Sequence, residues 1–577
     1  MTTVDAIVLA GGRATRMGGV DKPAIMVGGR SMLDAALAAV ASCVRTVVVG
    51  PHRPELSPAI RQVQEVPAGA GPVAAIAAGL RALAECDFPA DLVAVLAADM
   101  PFLTAEAIDE LIRHARESET SAVFAADETG RPQYLVGVWR RTALLAGLDR
   151  LDSPVNQPMK ALVPVDTVMV ALPGVVDCDT ADEVRRARAR AAPLTLDEAR
   201  TSLRHNLSRL PTRQSPLRSA RGAALAAPLR AAEALPRFDV SAMDGYAVAG
   251  DGPWRLRDDI GFAGGQRPVG LLAGEAVRIA TGAHVPEGTS TVVRDEFVRR
   301  EGDLLHRLPD APVRDDVRRR GEDWHPGDLI AEAGTPVSNA LISAATAAEV
   351  TAVSVRGPVR ARIVMTGDEI RGEGPLHTGQ TRDSIGPVLP DLLSHYGIHT
   401  VDRVHLRDTP NGFDEVLAAA GDCDLLVIIG ATGGGAADQL RDALDRTAAR
   451  VLVHRLRLRP GGSTVVAETS SGTVVLGLPG NPYAAIATLA ALVPALVDGL
   501  TDRTPARPLL VPLANAATIS GPVARMVPSR ALSDGGWSGD PAIRTAHLAG
   551  LLDRDGLVIV PPDAPDGALV ELLPLPD

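Results

Sequence analysis

A glycine-rich segment near the start of the chain carries residue types that bind phosphate. An apolar run at 4–9 leads directly into residues 10–22, which include four glycines, Arg16 and Lys22. Glycines let backbone N–H groups approach phosphate oxygens closely, and the two basic side chains add positive charge where a pyrophosphate would lie. The spacing is neither that of the P-loop nor that of G-x-G-x-x-G. We therefore predict an anion-binding loop; the alternative is a flexible connection between a strand and a helix.

Three aspartates of the same region are placed to hold a divalent cation. Asp99 follows a buried apolar run, and ligands of open α/β sheets bind beyond the carboxyl ends of the strands. Asp177 and Asp179 precede a helix that opens with a capping box formed by Thr180 and Glu183. Mg²⁺ prefers one or two carboxylates together with phosphate oxygens and water. The three aspartates therefore predict a magnesium site, the alternative being solvated residues of turns.

Acidic residues of the second half also lie in loops or at predicted strand ends. They are Asp244, Glu369, Asp383 and Asp438, and such carboxylates suit Mg²⁺ near a pyrophosphate. Asn481, which precedes a proline, is a good N-cap and opens a helix start toward an anion. The alternatives are a turn aspartate for Asp244 and simple capping for Asn481.

The composition excludes several classes of protein. With 46% hydrophobic residues among 577, the chain can bury a large core and is not disordered. Its net charge of −12 argues against a general nucleic-acid binder. The four cysteines show neither metal spacing nor a disulfide framework, the N-terminus does not match a signal peptide, and the apolar stretch 483–497 is too short to span a bilayer. We expect a cytoplasmic soluble protein without nucleic-acid or membrane partners.

Lysine is rare in this chain. Only two of the 58 basic residues are lysines, Lys22 and Lys160. A lysine delivers a compact charge to one oxygen, whereas the wider guanidinium of arginine makes planar contacts with two. Its use at the end of the glycine-rich segment favours a specific role for Lys22; Lys160 is equally well explained as a surface lysine.

The pattern of apolar residues predicts an α/β protein with several domains. Near the start, buried strands alternate with helices, which predicts a doubly wound parallel sheet with helices on both faces. The predicted strands are 4–9, 46–49 and 92–96, and the predicted helices are 31–42, 73–84 and 104–117. Short strands and Gly/Pro turns follow, then a second α/β alternation and a small β module. We place these four parts at 1–193, 194–355, 356–502 and 503–577.

The glycine-rich segment resembles the L-A-G-G-x-x-x-R-M-G-G-x-D-K motif of the molybdenum cofactor guanylyltransferase family of nucleotidyltransferases. Segments at 69–73, 97–102 and 177–183 resemble further family segments in the same order. The resemblance implies GTP as a substrate, Mg²⁺ as a cofactor, and catalytic roles for Arg16 and Lys22. It implies nucleotide-binding roles for Leu9, Ala10, Gly11, Gly12, Lys22, Gly71 and Asp99. The residues alone leave CTP, or transfer to a sugar phosphate, open.

The segment at 241–247 resembles the S-A-M-D-G-Y-A motif of molybdopterin molybdenumtransferases, the family that includes the larger domain of gephyrin. The resemblance covers about 194–577 and implies molybdate insertion into adenylylated molybdopterin with Mg²⁺. It implies catalytic roles for Asp244 and Glu369 and metal binding by Asp383 and Asp438. The molybdopterin-binding residues that it implies are Thr281, Gly282, Gly433, Gly434, Arg455, Arg459, Pro479, Gly480 and Asn481.

The second half departs from its family at several positions. The loop 430–435 lacks the family's serines, Ile385 replaces an asparagine, and Gly462 replaces a lysine. Two hypotheses follow: a bifunctional enzyme that makes and then guanylylates molybdenum-loaded molybdopterin, or an active nucleotidyltransferase fused to a non-catalytic molybdopterin-binding module. Small-molecule substrates, a second copy of the chain, and molybdoenzymes or their chaperones as receivers of the product are the expected partners.

Overall fold

The computed structural model describes residues 3–11, 21–54, 56–85, 89–127, 129–409, 411–430, 432, 436–544 and 548–575. The N-terminal unit alternates strands with helices, as predicted. Its strands are β1 (Val4–Leu9), β2 (Met26–Val27), β3 (Arg30–Ser31), β4 (Arg45–Val49), β5 (Arg61–Val63), β6 (Leu92–Ala97), β7 (Ala122–Ala126), β8 (Pro132–Arg140) and β9 (Thr167–Ala171). Its helices are α1 (Met32–Ala39), α2 (Pro72–Ala84), α3 (Ala105–Glu117), α4 (Arg141–Asp149) and α5 (Ala181–Arg190).

The main sheet of this unit has the strand order β5-β4-β1-β6-β8-β7-β9. The prediction of a wholly parallel sheet was wrong at one strand, because β8 runs antiparallel to both β6 and β7. The cause is a tight hairpin between β7 and β8, where Asp127 accepts hydrogen bonds from the Arg131 and Thr129 N–H groups and Gly130 has φ +82°. A hairpin joins antiparallel strands with few residues, whereas a parallel pair needs a long crossover.

Strands β1 and β6 are buried along their whole length because helices cover both faces of the sheet. Helix α2 lies very close to β1: a Cβ on Gly79 would come 2.7 Å from Ile7 Cγ2. The absence of a side chain at Gly79 therefore permits the close approach of α2 to the sheet. This packing fixes the strand ends that carry Asp99 and the segment after Leu9.

The β-rich region forms two separate cores. One contains β10 (Arg213–Pro216), β11 (Ala224–Leu225), β12 (Leu229–Arg230), β21 (Leu329–Ala331), α7 (Asn339–Ala347) and β22 (Ala352–Arg356). The other contains β13 (Val240–Ser241), β14 (Gly245–Val248), β15 (Trp254–Gly261), β16 (Glu275–Ile279), β17 (Thr291–Arg294), β18 (Val298–Glu301), β19 (Leu304–Arg307) and β20 (Val317–Arg318).

The second α/β unit contains a mixed sheet of order β26-β23-β27-β31-β30-β28, in which β30 runs antiparallel to both of its neighbours, β31 and β28. Its strands are β23 (Val359–Thr366), β24 (Ile370–Arg371), β25 (Thr381–Arg382), β26 (Ile398–Leu406), β27 (Leu425–Ile429), β28 (Arg450–Val453), β29 (Leu458–Arg459), β30 (Val465–Glu468) and β31 (Val474–Leu478). Its helices are α8 (Leu389–His395), α9 (Gly412–Ala418), α10 (Ala436–Arg446) and α11 (Pro482–Thr501).

Helix α6 (Leu196–Asn206) packs on α11 and joins the core of the second α/β unit. The contact is close, since a Cβ on Gly499 would clash with the carbonyl oxygen of Leu203. The helix lies at the start of the predicted part 194–355 and packs against the second α/β unit, so it joins the two parts. Long-range packing of this kind leaves no local signal in the sequence.

Helix α11 corrects the expectation of a short apolar stretch. It has 20 residues and is long and apolar enough to cross a membrane, yet 89% of its most apolar window is buried inside the fold. Such burial is what the central helix of a folded domain shows.

The C-terminal part forms a closed β module, as predicted. Its elements are β32 (Leu509–Leu513), α12 (Ala516–Ile519), β33 (Ala524–Ala531), β34 (Trp537–Gly539), β35 (Gly556–Val560) and β36 (Ala568–Pro574). Strand β33 pairs with both β34 and β35, which closes the ring through β32 and β36.

Candidate functional site

Lys22 lies between two of the predicted metal ligands. Its Nζ atom donates hydrogen bonds to Asp99 Oδ2 at 2.7 Å and to Asp179 Oδ1 at 2.6 Å. Asp99 follows β6, and Asp179 comes just before α5, so the sheet edge and a helix start hold the two carboxylates. Burial alone would lower the pKa of Lys22, but the charges and hydrogen bonds of the two aspartates outweigh it and raise the pKa. The ammonium group is therefore held charged.

Arg53 fixes the residue before this lysine, and sequence reasoning missed it. Its side chain is 7% exposed, and it donates to both carboxylate oxygens of Asp21 at 2.7 and 2.6 Å. The Gln62 side chain in turn accepts a hydrogen bond from the Arg53 backbone N–H and donates one to the Arg53 carbonyl oxygen. A bidentate arginine–carboxylate pair is geometrically specific, so it orients the turn that carries Lys22. One arginine among many gave no signal in the sequence.

The carboxylates at this edge fit a magnesium ion. Asp99 Oδ1 is buried and has no hydrogen-bond partner among the described residues. Burial, and then the charges of Asp179 and Asp99, raise the pKa of Asp177. No group of three or more His, Cys, Asp or Glu side chains with metal-binding geometry occurs in the described part of the chain. Mg²⁺ needs only one or two carboxylates when phosphate oxygens and water complete its shell, so Asp99 with Asp177 or Asp179 would suffice.

A cavity of about 270 Å³ opens beside Lys22. It is lined by residues that include Leu9, Gly11, Lys22, Gly71 and Asp99. Gly71 is the N-cap of α2 with φ +92°, so the start of this helix lies at the cavity wall. Ala10 donates its N–H to Val49 O in the sheet. The predicted residues Gly12 and Arg16 lie outside the described residues.

Glu65 is a second residue that sequence reasoning missed. It lines the same cavity and is 5% exposed. Its Oε1 accepts the Gly69 N–H at 2.8 Å, while Oε2 is buried and unpartnered among the described residues. A buried carboxylate oxygen without a partner is costly unless a ligand supplies the hydrogen bond.

Asp244 lies in the β-rich region, where it meets two other predicted residues. Its Oδ1 accepts hydrogen bonds from the Thr281 N–H at 2.7 Å and from Thr281 Oγ1 at 3.0 Å. These two bonds, the backbone bond first, lower the pKa of Asp244. Gly282 follows with φ +76°, a conformation that suits glycine. The structure thus brings Asp244, Thr281 and Gly282 together as a negatively charged turn.

The other predicted acids of the second half lie in the α/β unit, and no hydrogen bond between described residues joins them to Asp244. Glu369 follows β23, and Asp383 Oδ1 accepts the N–H groups of Ile385 at 3.1 Å and of Gly386 at 2.8 Å. Ile385 is 2% exposed and belongs to the main core, which explains an apolar residue at that position. The Asp438 side chain and the predicted residues Gly433 and Gly434 lie outside the described residues.

The predicted Pro479, Gly480 and Asn481 follow the carboxyl end of β31. Asn481 Oδ1 accepts the Ala484 N–H at 3.0 Å and so caps α11. A Cβ on Gly480 would come 3.2 Å from Gly430 Cα, which brings the loops after β27 and β31 into close contact. The helix start therefore faces the sheet edge where ligands of α/β folds bind.

Arg455 and Arg459 lie beyond the end of β28 and on β29. Both are exposed; the Arg455 carbonyl accepts the N–H of Leu194, the first residue after the N-terminal part, and the strand of Arg459 pairs with the C-terminal module. A Cβ on Gly462 would approach the carbonyl oxygens of Leu456 and Leu458 to 3.3 Å. The chain therefore turns tightly at Gly462, where the family has a lysine.

Three family models match successive parts of the chain. Residues 6–165 match the MobA-like NTP transferase domain, 194–348 the MoeA N-terminal region (domain I and II), and 362–498 a probable molybdopterin binding domain. Together they define a molybdenum cofactor biosynthesis protein with a nucleotidyltransferase unit in front of a molybdopterin-binding half.

Curated relatives and solved structures match the second half. Molybdopterin molybdenumtransferase of Haemophilus influenzae is 32% identical over 327 residues, 53% of this chain and 78% of that protein. The Nostoc sp. molybdopterin molybdenumtransferase is 30% identical over 283 residues, and the chain spans 65% of its length. The molybdopterin biosynthesis MoeA protein of Pyrococcus horikoshii shares the fold, with a TM-score of 0.54 and 21% identity over 67% of this chain and all of that one. The chain belongs to the molybdopterin molybdenumtransferase family and carries an additional MobA-like NTP transferase domain.

Proposed function

We propose that the chain performs two successive steps of molybdenum cofactor biosynthesis. The second half inserts molybdate into adenylylated molybdopterin, with hydrolysis of the adenylate and release of AMP. The N-terminal unit then transfers GMP from GTP to the molybdenum-loaded product. In that transfer the terminal phosphate of the pterin attacks the α-phosphorus of GTP, the bond to the bridging oxygen breaks, and pyrophosphate leaves.

The observation that carries the proposal is the meeting of Lys22 with Asp99 and Asp179 beside the cavity. Phosphoryl and nucleotidyl transfer depend on positioning and on neutralising the charge that develops. Lys22 supplies a fixed positive charge beside the cavity. Bound Mg²⁺ would neutralise charge on the phosphates, with Asp99 and Asp177 or Asp179 as its protein ligands.

Glu65 supports GTP as the nucleotide. Its carboxylate lines the cavity with one buried oxygen unpartnered among the described residues. A carboxylate only accepts hydrogen bonds, and guanine presents two adjacent donors, its N1–H and N2–H groups. Cytosine and adenine each place an acceptor next to a single amino donor on that edge, so they would leave one oxygen facing an acceptor. The site is therefore better matched to GTP than to CTP or ATP.

The second half supports molybdopterin binding through Asp244 with Thr281 and through the capped start of α11. The alternative function, a molybdopterin-binding module without catalysis, draws support from two positions. The Ile385 side chain is buried in the core and has no amide group to offer a ligand, and Gly462 has no charged side chain. Cytoplasmic location, a second copy of the chain and hand-over to molybdoenzymes remain part of the proposal.

Two assays on the full chain separate these possibilities. The first offers GTP, CTP and ATP in competition, with molybdenum-loaded molybdopterin as acceptor, and measures pyrophosphate release. We expect GTP to be used in preference to both others. The second measures molybdate-dependent AMP release from adenylylated molybdopterin. AMP release no faster than in the absence of protein would contradict molybdate insertion. It would favour the alternative, a molybdopterin-binding module without catalysis.

A further inference from the structure

A cavity of about 240 Å³ lies where the N-terminal unit meets the second α/β unit. Helix α5, helix α10 and the end of β28 form its walls. Among the described residues it shares no lining side chain with the nucleotide cavity. The charged residues that line it come from both halves of the chain: Arg185, Arg188, Arg441, Asp442, Asp445 and Arg455.

Two ion pairs define how the helices meet at this cavity. Arg188 pairs with Asp445 at 2.8 Å, and Arg185 approaches Asp442 at 3.9 Å. From the first pair to the second, the arginine moves three residues along α5 and the aspartate moves three residues along α10. The two helices therefore run side by side in the same direction. Their N-terminal ends therefore lie at the same end of the interface.

Both helices begin close to the cavity. Helix α5 begins at Ala181, two residues after Asp179, and at 1.5 Å per residue Arg185 lies about 6 Å along the axis from Ala181. Helix α10 begins at Ala436, and Arg441 lies about 8 Å along the axis from it. The cavity therefore lies within about two helical turns of the start of each helix.

The cavity carries excess positive charge. Its lining holds four arginines and two aspartates; Arg188 pairs with Asp445, and Arg185 pairs with Asp182 of its own helix and approaches Asp442. The Arg455 guanidinium makes no hydrogen bond or ion pair with another described residue, and Arg441 is held by its bonds to the carbonyl oxygens of Ser463 and His454. Burial lowers the pKa of His454; its hydrogen bond to the Ala191 backbone opposes this shift, and the charges of the neighbouring arginines add to it.

We infer that this cavity binds the terminal phosphate of the molybdopterin intermediate while it passes from the second half to the N-terminal unit. The inference rests on the proposed function, because that intermediate is the compound that the two reactions share. The volume lies below the range of about 300–1,000 Å³ typical of whole small-molecule sites, so the cavity takes one end of the ligand. Guanidinium groups are the side chains best matched to phosphate oxygens.

The charge of the ligand explains why the intermediate is selected. A free phosphate monoester carries about −1.5 to −2 charges at neutral pH and three strong acceptor oxygens. The adenylylated substrate and the dinucleotide product bear this phosphate within a pyrophosphate link, which leaves a smaller charge on that phosphorus. A site with surplus arginines therefore favours the compound that exists between the two steps.

Binding to the full chain tests this inference directly. The probes are 6-hydroxymethylpterin phosphate, its methyl phosphodiester, unphosphorylated 6-hydroxymethylpterin and inorganic phosphate, followed by pterin fluorescence or calorimetry. Arg185→Ala removes a half-exposed arginine of the cavity, and Arg186→Ala removes its exposed neighbour outside the cavity as the matched control. We expect Arg185→Ala to weaken binding of the phosphorylated pterin about tenfold, with Arg186→Ala at the wild-type affinity.

Equal affinity of the wild-type chain and Arg185→Ala for the phosphorylated pterin would overturn the inference. Equal affinity for the monoester and the diester would overturn the selection, and inorganic phosphate binding as tightly as the pterin phosphate would overturn the assignment to the intermediate. AMP and pyrophosphate release are measured in parallel with each half-reaction supplied with its own substrate. Absence of either activity in the wild-type chain would contradict the proposed function. The binding result tests only whether the cavity holds the phosphate of the intermediate.

Discussion

In the N-terminal unit, side chains that are 77 and 157 positions apart in sequence meet within 2.7 Å around Lys22. In the second half, by contrast, Asp244 bonds Thr281 in the β-rich region, while Glu369 and Asp383 lie in loops of the α/β unit. The first site is assembled at one edge of one sheet, where the carboxyl ends of parallel strands gather side chains. The second set of residues is divided between two folding units.

The difference teaches how far a motif determines a site. A motif at a strand end is placed by the sheet itself, so its residues converge whenever the sheet forms. Residues on separate units converge only through the packing of those units, which depends on contacts spread over the whole chain. The N-terminal site should therefore respond sharply to single changes, and the second half more weakly.

The largest effect is expected at Lys22. Lys22→Met removes the charge between Asp99 and Asp179, and we expect pyrophosphate release to fall about 100-fold or more, as on loss of one charge-stabilising group. AMP release should be unchanged. Lys160→Met is the matched control, because Lys160 is the other lysine of the sequence and is exposed. Wild-type pyrophosphate release by Lys22→Met would remove this residue from the mechanism.

Asp99→Asn comes next. We expect a loss of about 30-fold in transfer together with a higher Mg²⁺ requirement, because one carboxylate ligand is replaced by a neutral amide. Asp91→Asn is the control, since Asp91 is exposed and precedes the same strand at its opposite end. A magnesium titration checks the prediction; an unchanged midpoint would show that Asp99 does not bind the metal.

A smaller effect is expected at Glu65. Glu65→Gln replaces one acceptor by a donor at the cavity wall, and we expect KM for GTP to rise about tenfold with little change for CTP. Glu85→Gln, at an exposed glutamate of the same unit, should leave both values unaltered. Parallel losses for GTP and CTP would show that Glu65 supports the fold rather than selecting the base.

The smallest effect is expected in the second half. Asn481→Ala removes the side-chain cap of α11 and should cost about 1 kcal/mol of unfolding free energy. Asn411→Ala is the matched control, because Asn411 occupies the N-cap of α9 without a side-chain capping bond. Thermal or denaturant unfolding of the full chain distinguishes the two. Equal destabilisation would mean that the cap contributes nothing measurable.

The sequence alone predicted several residues of the N-terminal site. Lys22, Asp99 and Asp179 follow from a strand, a glycine-rich segment and a capping box, all of which are local patterns. Arg53 and Glu65 were missed because each is an ordinary charged residue until the fold buries it beside the site. The antiparallel direction of β8 was also missed, since it depends on how the strand pairs within the sheet.

We propose that one chain carries out both steps in order. A single assay supplies the full chain with adenylylated molybdopterin, molybdate, Mg²⁺ and GTP, and follows AMP and pyrophosphate together. We expect equal amounts of both products, with AMP release dependent on molybdate and pyrophosphate release dependent on GTP. Pyrophosphate without AMP, or AMP without pyrophosphate, would contradict it.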